Sequence, residues 1–445
     1  MQMNRFRFWI VTLVLFSLLE TLPLTTALAQ TPKLGLNDVS WLWPVPKTSA
    51  ELTNTISMGA LNKPDGTPVW SDAQFQSILD TVASGATEVE GSSVDFPANF
   101  SIKENWRVAG LRIDPTAPGG HVALRQVFGS SVQIRLIIQP VTTSGATVTV
   151  HDTAVHLVYS FLKPKDSANP RANVPDNDKF REILDDVKWL KAVCKAGGAS
   201  TDGPLGVHPG LAAKVPGLVD ELKRFLGNHL SADKLTAMAL MGIEGGAEPW
   251  IFLALGPTAN GAFGPIAIDA PFTKPQMIDF RGSPGAVHPE PVVSNRRKAS
   301  STSPTGVATN VLFGISSAEL QDFATIGRDG SGTAIKDTEV RNSDVPDVVA
   351  NPILSSFFNT DCVSCHTESQ RRGALGIPLG DFAFKVSNQS PARSAEVTSS
   401  AQWNVRNFGW FPDFFRSGQT VPTATQRTAN ETAEVLMFIE EHFQD

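Results

Sequence analysis

Cysteine is scarce in this chain: there are three among 445 residues. Two stand close together, at 362 and 365. The third, Cys194, has no partner left. It closes the series Phe180, Ile183, Leu184, Val187, Leu190, Val193, which is the apolar face of an amphipathic helix, so it reads as a buried thiol. Long apolar runs are lacking too. Residues 8–19 form the longest stretch considered for a span, short of the roughly 20 residues that a bilayer requires, and Glu20 and Pro23 interrupt any extension. No excess of basic charge exists: 37 Lys and Arg against 44 Asp and Glu give a net charge of −7. That excludes the electrostatic footprint of a nucleic-acid binder and favours partners with basic docking faces. The region ahead of residue 282 contains no G-x-G-x-x-G, G-x-S-x-G or H-E-x-x-H, the signatures of nucleotide binding, a nucleophile elbow and a zinc hydrolase.

What is present begins with a leader. Arg5 and Arg7 precede the apolar stretch, and Ala27-Leu28-Ala29 supplies an A-x-A cleavage site, so residues 1–29 read as a secretory signal peptide. The mature chain is then expected to carry no integral membrane span and to work in the periplasm. The second positive signal is Cys362-Val363-Ser364-Cys365-His366. In C-x-x-C-H two thiols can form thioethers to one haem, and the following histidine is placed to ligate its iron. A thioredoxin-like pair would want a βαβ setting, and a zinc site two further ligands. Neither accompanies this motif. One covalent haem c, with His366 as an axial iron ligand, is the expected cofactor.

The mature length predicts two or three domains. Residues 30–165 alternate apolar and polar side chains, as in Val132-Gln133-Ile134-Arg135-Leu136, and predict a β-rich domain built on an antiparallel sheet or sandwich. Residues 166–281 predict a mostly helical, α+β middle. It has a helix from 178 to the Gly197-Gly198 stop, another around 216–230, a third over 231–241, and a strand or short core helix at 250–255. Residues 282–343, rich in Ser, Thr, Pro and Gly, predict a linker or long loops, and Arg296-Arg297-Lys298 reads there as a solvated patch. Residues 344–445 are long enough for a small domain wrapped on a cofactor.

In that last segment the chain resembles the class I cytochrome c family. The resemblance covers about a quarter of the sequence. It rests on a helix-compatible approach over 348–359 with Phe358 four residues before Cys362, on the C-x-x-C-H itself, and on Ile377-Pro378-Leu379 after it. It implies an all-α domain, electron transfer, and a carbonyl from Pro378 that accepts the His366 ring N–H. Thr428-Ala429-Asn430-Glu431 is a capping-box pattern, and Val435, Leu436, Phe438, Ile439 and Phe443 follow at helical spacing. Trp403, Phe408, Trp410, Phe411, Phe414 and Phe415 form an aromatic segment suited to a haem pocket or to an ordinary core. Among Arg371, Arg372, Arg393 and Arg406, the last is the preferred partner for a haem propionate, because it lies within that segment.

The departure from the family is the sixth iron ligand. No Met, His or Cys lies between Glu368 and Leu436. Met437 and His442 are the nearest candidates. On a helical wheel Met437 points away from the apolar face, and His442 sits where a helix C-terminus stabilises a cation. His121, His151, His156, His208, His229, Met58, Met238, Met241 or Met277 could lend a ligand from outside the segment. Alternatively the distal side is open. His151-Asp152 and His156 lie on one β-rich stretch, but residues five apart on a strand face opposite sides. The expected function is therefore an electron carrier working with redox partner proteins; a haem enzyme of peroxidase-like chemistry, or a gas or redox sensor, is the alternative.

Overall fold

In the computed structural model the described residues are 33–88, 91–114, 132–164, 173–243, 250–259, 261–266, 276–279, 292–294, 350–352, 391–397, 404–413 and 419–443, with Cys362, Cys365, His366, Glu368 and Ser369. The leader thus lies outside them, as do His121, Arg371, Arg372, Pro378, Trp403, Phe414 and Phe415. Residues Leu34–Asp445 cluster as one compact unit.

The elements run in the order α1 (Leu36–Val39), β1 (Ser40–Leu42), α2 (Asp72–Ala83), β2 (Trp106–Asp114), β3 (Val132–Ser144), β4 (Thr147–Val150), β5 (Ala154–Pro164) and β6 (Asn173–Pro175). These are followed by α3 (Asn177–Ala196), α4 (Pro209–Ala212), α5 (Leu218–His229), β7 (Leu235–Ile243), β8 (Trp250–Pro257), β9 (Phe263–Ile266), β10 (Gln276–Asp279) and β11 (Val292–Ser294). The chain closes with β12 (Phe408–Asp413), β13 (Gln419–Ala424) and α6 (Gln426–His442). Eleven strands make one sheet along the path β1-β2-β3-β5-β7-β8-β10-β11, with β4, β6 and β9 pairing at its sides; every pair is antiparallel.

Because opposed residues in an antiparallel ladder share a face, the register sorts the side chains. One face carries Trp41, Leu111, Leu136, Leu157, Leu240 and Leu253, all buried in one apolar core with Phe75 and Ile78 of α2, Phe180 and Leu190 of α3, and Leu222 and Phe225 of α5. The other face carries Ser40, Arg112, Arg135, His156, Ala239 and Phe252.

The fold class expected from the sequence is overturned in two places. The mixed helical middle is instead sheet as much as helix: α3 and α5 form where the periodicity placed them, but the third helix does not. A short 3-10 turn at Ala232–Lys234 leads straight into β7, and residues 250–255 belong to β8. Ala, Leu and Met favour helix by propensity, yet β5 and β8 on either side supply a full set of ladder partners, and tertiary context wins. The second correction concerns the C-terminal segment, which is not all-α. Phe408–Asp413 and Gln419–Ala424 pair residue for residue as a hairpin, and one helix, α6, follows. Gly409, Pro412 and Pro422 are poor in a helix interior, and the aromatic and β-branched residues between them suit a pleated surface.

That hairpin is held to the polar face. The Gln139 side chain accepts from the Trp410 amide at 2.7 Å and donates to the Trp410 carbonyl at 2.8 Å, while the Trp410 indole donates to the Trp43 carbonyl at 2.8 Å. The approach requires missing side chains. A Cβ on Gly110 would lie 2.7 Å from the Phe408 ring, and one on Gly409, at φ 130°, would lie 2.7 Å from Gln139 Oε1. Helix α6 starts three residues ahead of the expected capping box: Thr425 is its N-cap, accepting from the Thr428 amide. Glu431 is thereby released to face the large sheet.

Candidate functional site

Cys362, Cys365 and His366 are helical and half-buried. The His366 Nδ1 lies 2.6 Å from the Val405 carbonyl oxygen, which can only accept, so Nδ1 carries the proton and Nε2 keeps its lone pair. The ring is tilted against Phe252 of β8 at 4.6 Å. Burial pushes the His366 imidazole down to about 4, helped by the Arg406 charge and opposed by the Val405 hydrogen bond. A neutral imidazole with a fixed N–H and an available Nε2 is the form that ligates a metal. The carbonyl that orients the ring is therefore supplied by Val405; Pro378 lies outside the described residues.

Arg406 follows Val405 directly. It is 1% exposed, and its Nη2 donates to Asp152 Oδ1 at 2.5 Å. Asp152 Oδ2 accepts from the Trp250 indole at 2.6 Å, so one buried carboxylate ties β8 to the segment that holds His366. Burial pushes the Asp152 carboxyl up and the Arg406 guanidinium down, and their mutual attraction opposes both. Arg406 Nε and Nη1 are buried and have no partner among the described residues. Orphaned donors on a buried cation are costly, and an anionic oxygen would satisfy them.

A second group of charges lies where β2, β3 and α6 meet. Arg112 and Arg135 both reach Asp114, at 3.2 and 2.9 Å; Arg112 also pairs with Glu431, which Arg427 Nη2 contacts at 2.8 Å. Against the opposing effect of burial, Arg112, Arg427 and Arg135 hold the Glu431 carboxyl down at about 2. The Arg427 guanidinium is raised despite its burial, first by Cys365 and then by Glu431, which places it beside the C-x-x-C-H motif. Among the described residues this group holds three arginines and two carboxylates. Of these five residues the sequence pattern marked Arg135 only as part of a strand and Glu431 only as the end of a capping box. The trace of Arg112, Asp114 and Arg135 was polar side chains on alternate positions, Arg112 with Asp114 and Gln133 with Arg135, which the pleat places on one face.

The remaining expected residues are dispersed. Met437 is 44% exposed on α6, and His442 donates from Nδ1 to the Phe438 carbonyl at 3.1 Å. His151 Nε2 is 2.8 Å from the Thr142 hydroxyl, and His229 Nε2 is 2.9 Å from Asp186. His208 is buried and stacked on Trp41 at 3.6 Å; Met58 and Met238 belong to the apolar core. Arg393 donates to the Gln426 side chain at 2.9 Å and the Ala424 carbonyl at 2.8 Å. Phe408 and Trp410 pack into the main core, and Cys194 is a buried thiol pushed up to about 12 by burial. Among the described residues His156 joins the site, and Met241 lies opposite Phe252 on β7. His156 sits half-buried on β5, and burial, followed by the charges of His366, Arg406, Arg135 and Arg112, pushes it down to about 3.

No family model, curated protein or solved structure matches this chain. No helix among the described residues is long and apolar enough to cross a membrane. The chemistry must be read from the site itself. Two thiols one helical turn apart, a neutral imidazole with Nε2 available, and a buried guanidinium with two unused donors fit a covalently tethered haem whose propionates are anionic.

Proposed function

We propose that this chain is an exported monohaem c-type cytochrome that carries electrons in the periplasm through one covalently bound haem c, exchanging them with redox partner proteins. The observation that carries this reading is the His366 Nδ1 hydrogen bond to Val405, made by the histidine of the chain's C-x-x-C-H. When bound, the haem supplies a one-electron iron couple. The chain's own residues do the rest. Cys362 and Cys365 tether the porphyrin edge, and His366 offers Nε2 to the iron. Val405 fixes that ring and raises its basicity. Arg406 and Arg427 are the donors for the propionates.

The absence of Met, His and Cys between Glu368 and Leu436 favours a second reading, a peroxidase-like enzyme or a gas or redox sensor with an open distal side. The test is expression of the full chain in a host with c-type haem ligation machinery, followed by denaturing electrophoresis stained for haem. Haem that survives denaturation, and is lost in Cys362→Ala/Cys365→Ala, is the expected result. A chain that stays haem-free in a competent host overturns the proposal.

A further inference from the structure

We infer that His156 is the second axial ligand of the iron, so that the haem is held between the C-terminal histidine and the large sheet. This inference rests on the haem reading above and names a residue that neither the motif nor the resemblance assigns.

The argument starts from register. Ala154, Met241 and Phe252 are opposed across β5, β7 and β8, and so are His156, Ala239 and Ala254 in the next row on the same face. Phe252 in the first row meets the His366 ring at 4.6 Å. The second row consists of one histidine and two alanines, side chains too small to fill the space beside it. Exposure follows the same division. His156, Val158, Ala237 and Ala239 are half-buried, with Ala254 buried at the end of the row, whereas the alternate residues Val155, Leu157, Met238 and Leu240 are all buried on the helix-covered face. Among the described residues, this is where the polar face is open beside His366.

The His156 imidazole is also idle. It makes no hydrogen bond, ion pair or ring contact with another described residue, and Arg406, Arg135 and Arg112 are the cations that act on it, adding to the effect of its burial. Guanidinium groups donate and offer it no acceptor. A neutral imidazole without a partner, next to a second one with its Nε2 available, is a pair of nitrogen donors suited to iron. The other candidates are engaged or misplaced. Met241 is directly opposite Phe252, on the His366 side of the site. Met437 and His442 are exposed on α6, His151 and His229 are hydrogen-bonded, and His208 stacks on Trp41, which lies on the opposite face.

The experiment uses the full haem-loaded chain. Near-infrared magnetic circular dichroism of the ferric protein distinguishes bis-histidine from histidine–methionine ligation, and carbon monoxide added to the ferrous protein reports an open position. The wild type is expected to be low-spin with a bis-histidine band and to ignore carbon monoxide. His156→Ala is expected to lose the low-spin spectrum, gain a carbon monoxide-shifted Soret band, and regain the low-spin spectrum when imidazole is added. A histidine–methionine band overturns the inference and turns attention to Met241→Leu. So does a low-spin spectrum that survives in His156→Ala, or a wild type that binds carbon monoxide; in each of these cases the covalent haem remains. Where His156→Ala does not accumulate, the wild-type band alone decides. A chain without covalent haem sinks the functional reading itself, a failure distinct from the others.

Discussion

On one face of the large sheet Trp41, Leu111, Leu136, Leu157 and Leu240 vanish beneath helices; on the other, the same strands present Arg112, Arg135 and His156 to the C-terminal hairpin, α6 and the C-x-x-C-H motif. The backbone is common to both, so the contrast isolates what side chains contribute. The helix-covered face gains stability from removing apolar area from water, which is non-directional and tolerant of detail. The polar face is organised by buried ion pairs, which repay their desolvation only when every partner is in place. It is the more specific and the more fragile of the two.

The largest effect is expected where that fragility is concentrated. Arg406→Ala leaves Asp152 buried with the Trp250 indole as its one side-chain partner among the described residues, and should cost about 3–5 kcal/mol in denaturant unfolding. Arg406→Met/Asp152→Asn should recover most of it, since an amide oxygen still accepts from Trp250. Should the double variant be no more stable than the single one, the ion pair does not organise this face. Next comes a comparison of adjacent residues on β5. Leu157→Ala, on the apolar face, should cost about 3 kcal/mol and leave the haem spectrum unchanged. His156→Ala should cost less and change the spectrum instead. Equal stability losses with identical spectra would erase the distinction between the faces.

Acid sharpens the comparison further. The Glu431 carboxyl is held at about 2 in the folded chain, below the ordinary carboxylate range, so the stability it confers is complete above pH 4.5 and is lost as pH falls through 2. Glu431→Gln should be destabilised by about 3 kcal/mol at pH 7 and indistinguishable from wild type near pH 2, as read by unfolding at each pH. The smallest effect concerns an imidazole lodged against the apolar face. His208 has both ring nitrogens buried without a partner among the described residues, and burial pushes it down to about 3. His208→Phe should stabilise the protein by about 1 kcal/mol at neutral pH. The gain should grow as pH falls from about 6.5 towards 3, where protonation of His208 in the unfolded chain favours unfolding.

How much of this was legible beforehand depends on how local each signal is. The alternation of Val132-Gln133-Ile134-Arg135-Leu136 announces a strand, and Phe180 through Cys194 a helix, because each pattern is complete within its own element. Residues 231–241 read as a helix, and 250–255 as strand or helix, because their Ala, Leu and Met satisfy the helical period; pairing with β5 makes β7 a strand instead. The C-terminal segment was misread for a different reason. The haem motif and the last helix invited an all-α frame, whereas Phe408–Asp413 takes its conformation from β13 and from Gln139, a residue 271 positions from Trp410. At the site, Arg406 was singled out from its aromatic surroundings, but its partner Asp152 lies 254 positions away and carried no mark of that pairing.

By itself the sequence determined the groups available for chemistry: two thiols and a histidine within five positions, whose reach needs no tertiary partner, together with the period of most strands and helices. The tertiary structure decided which carbonyl fixes the His366 proton, which cations gather beside Cys365, and which face His156 occupies. Those contacts join residues far apart in the chain. A hydrogen bond or an ion pair depends on distance in space, and only the folding of the chain brings such residues within it.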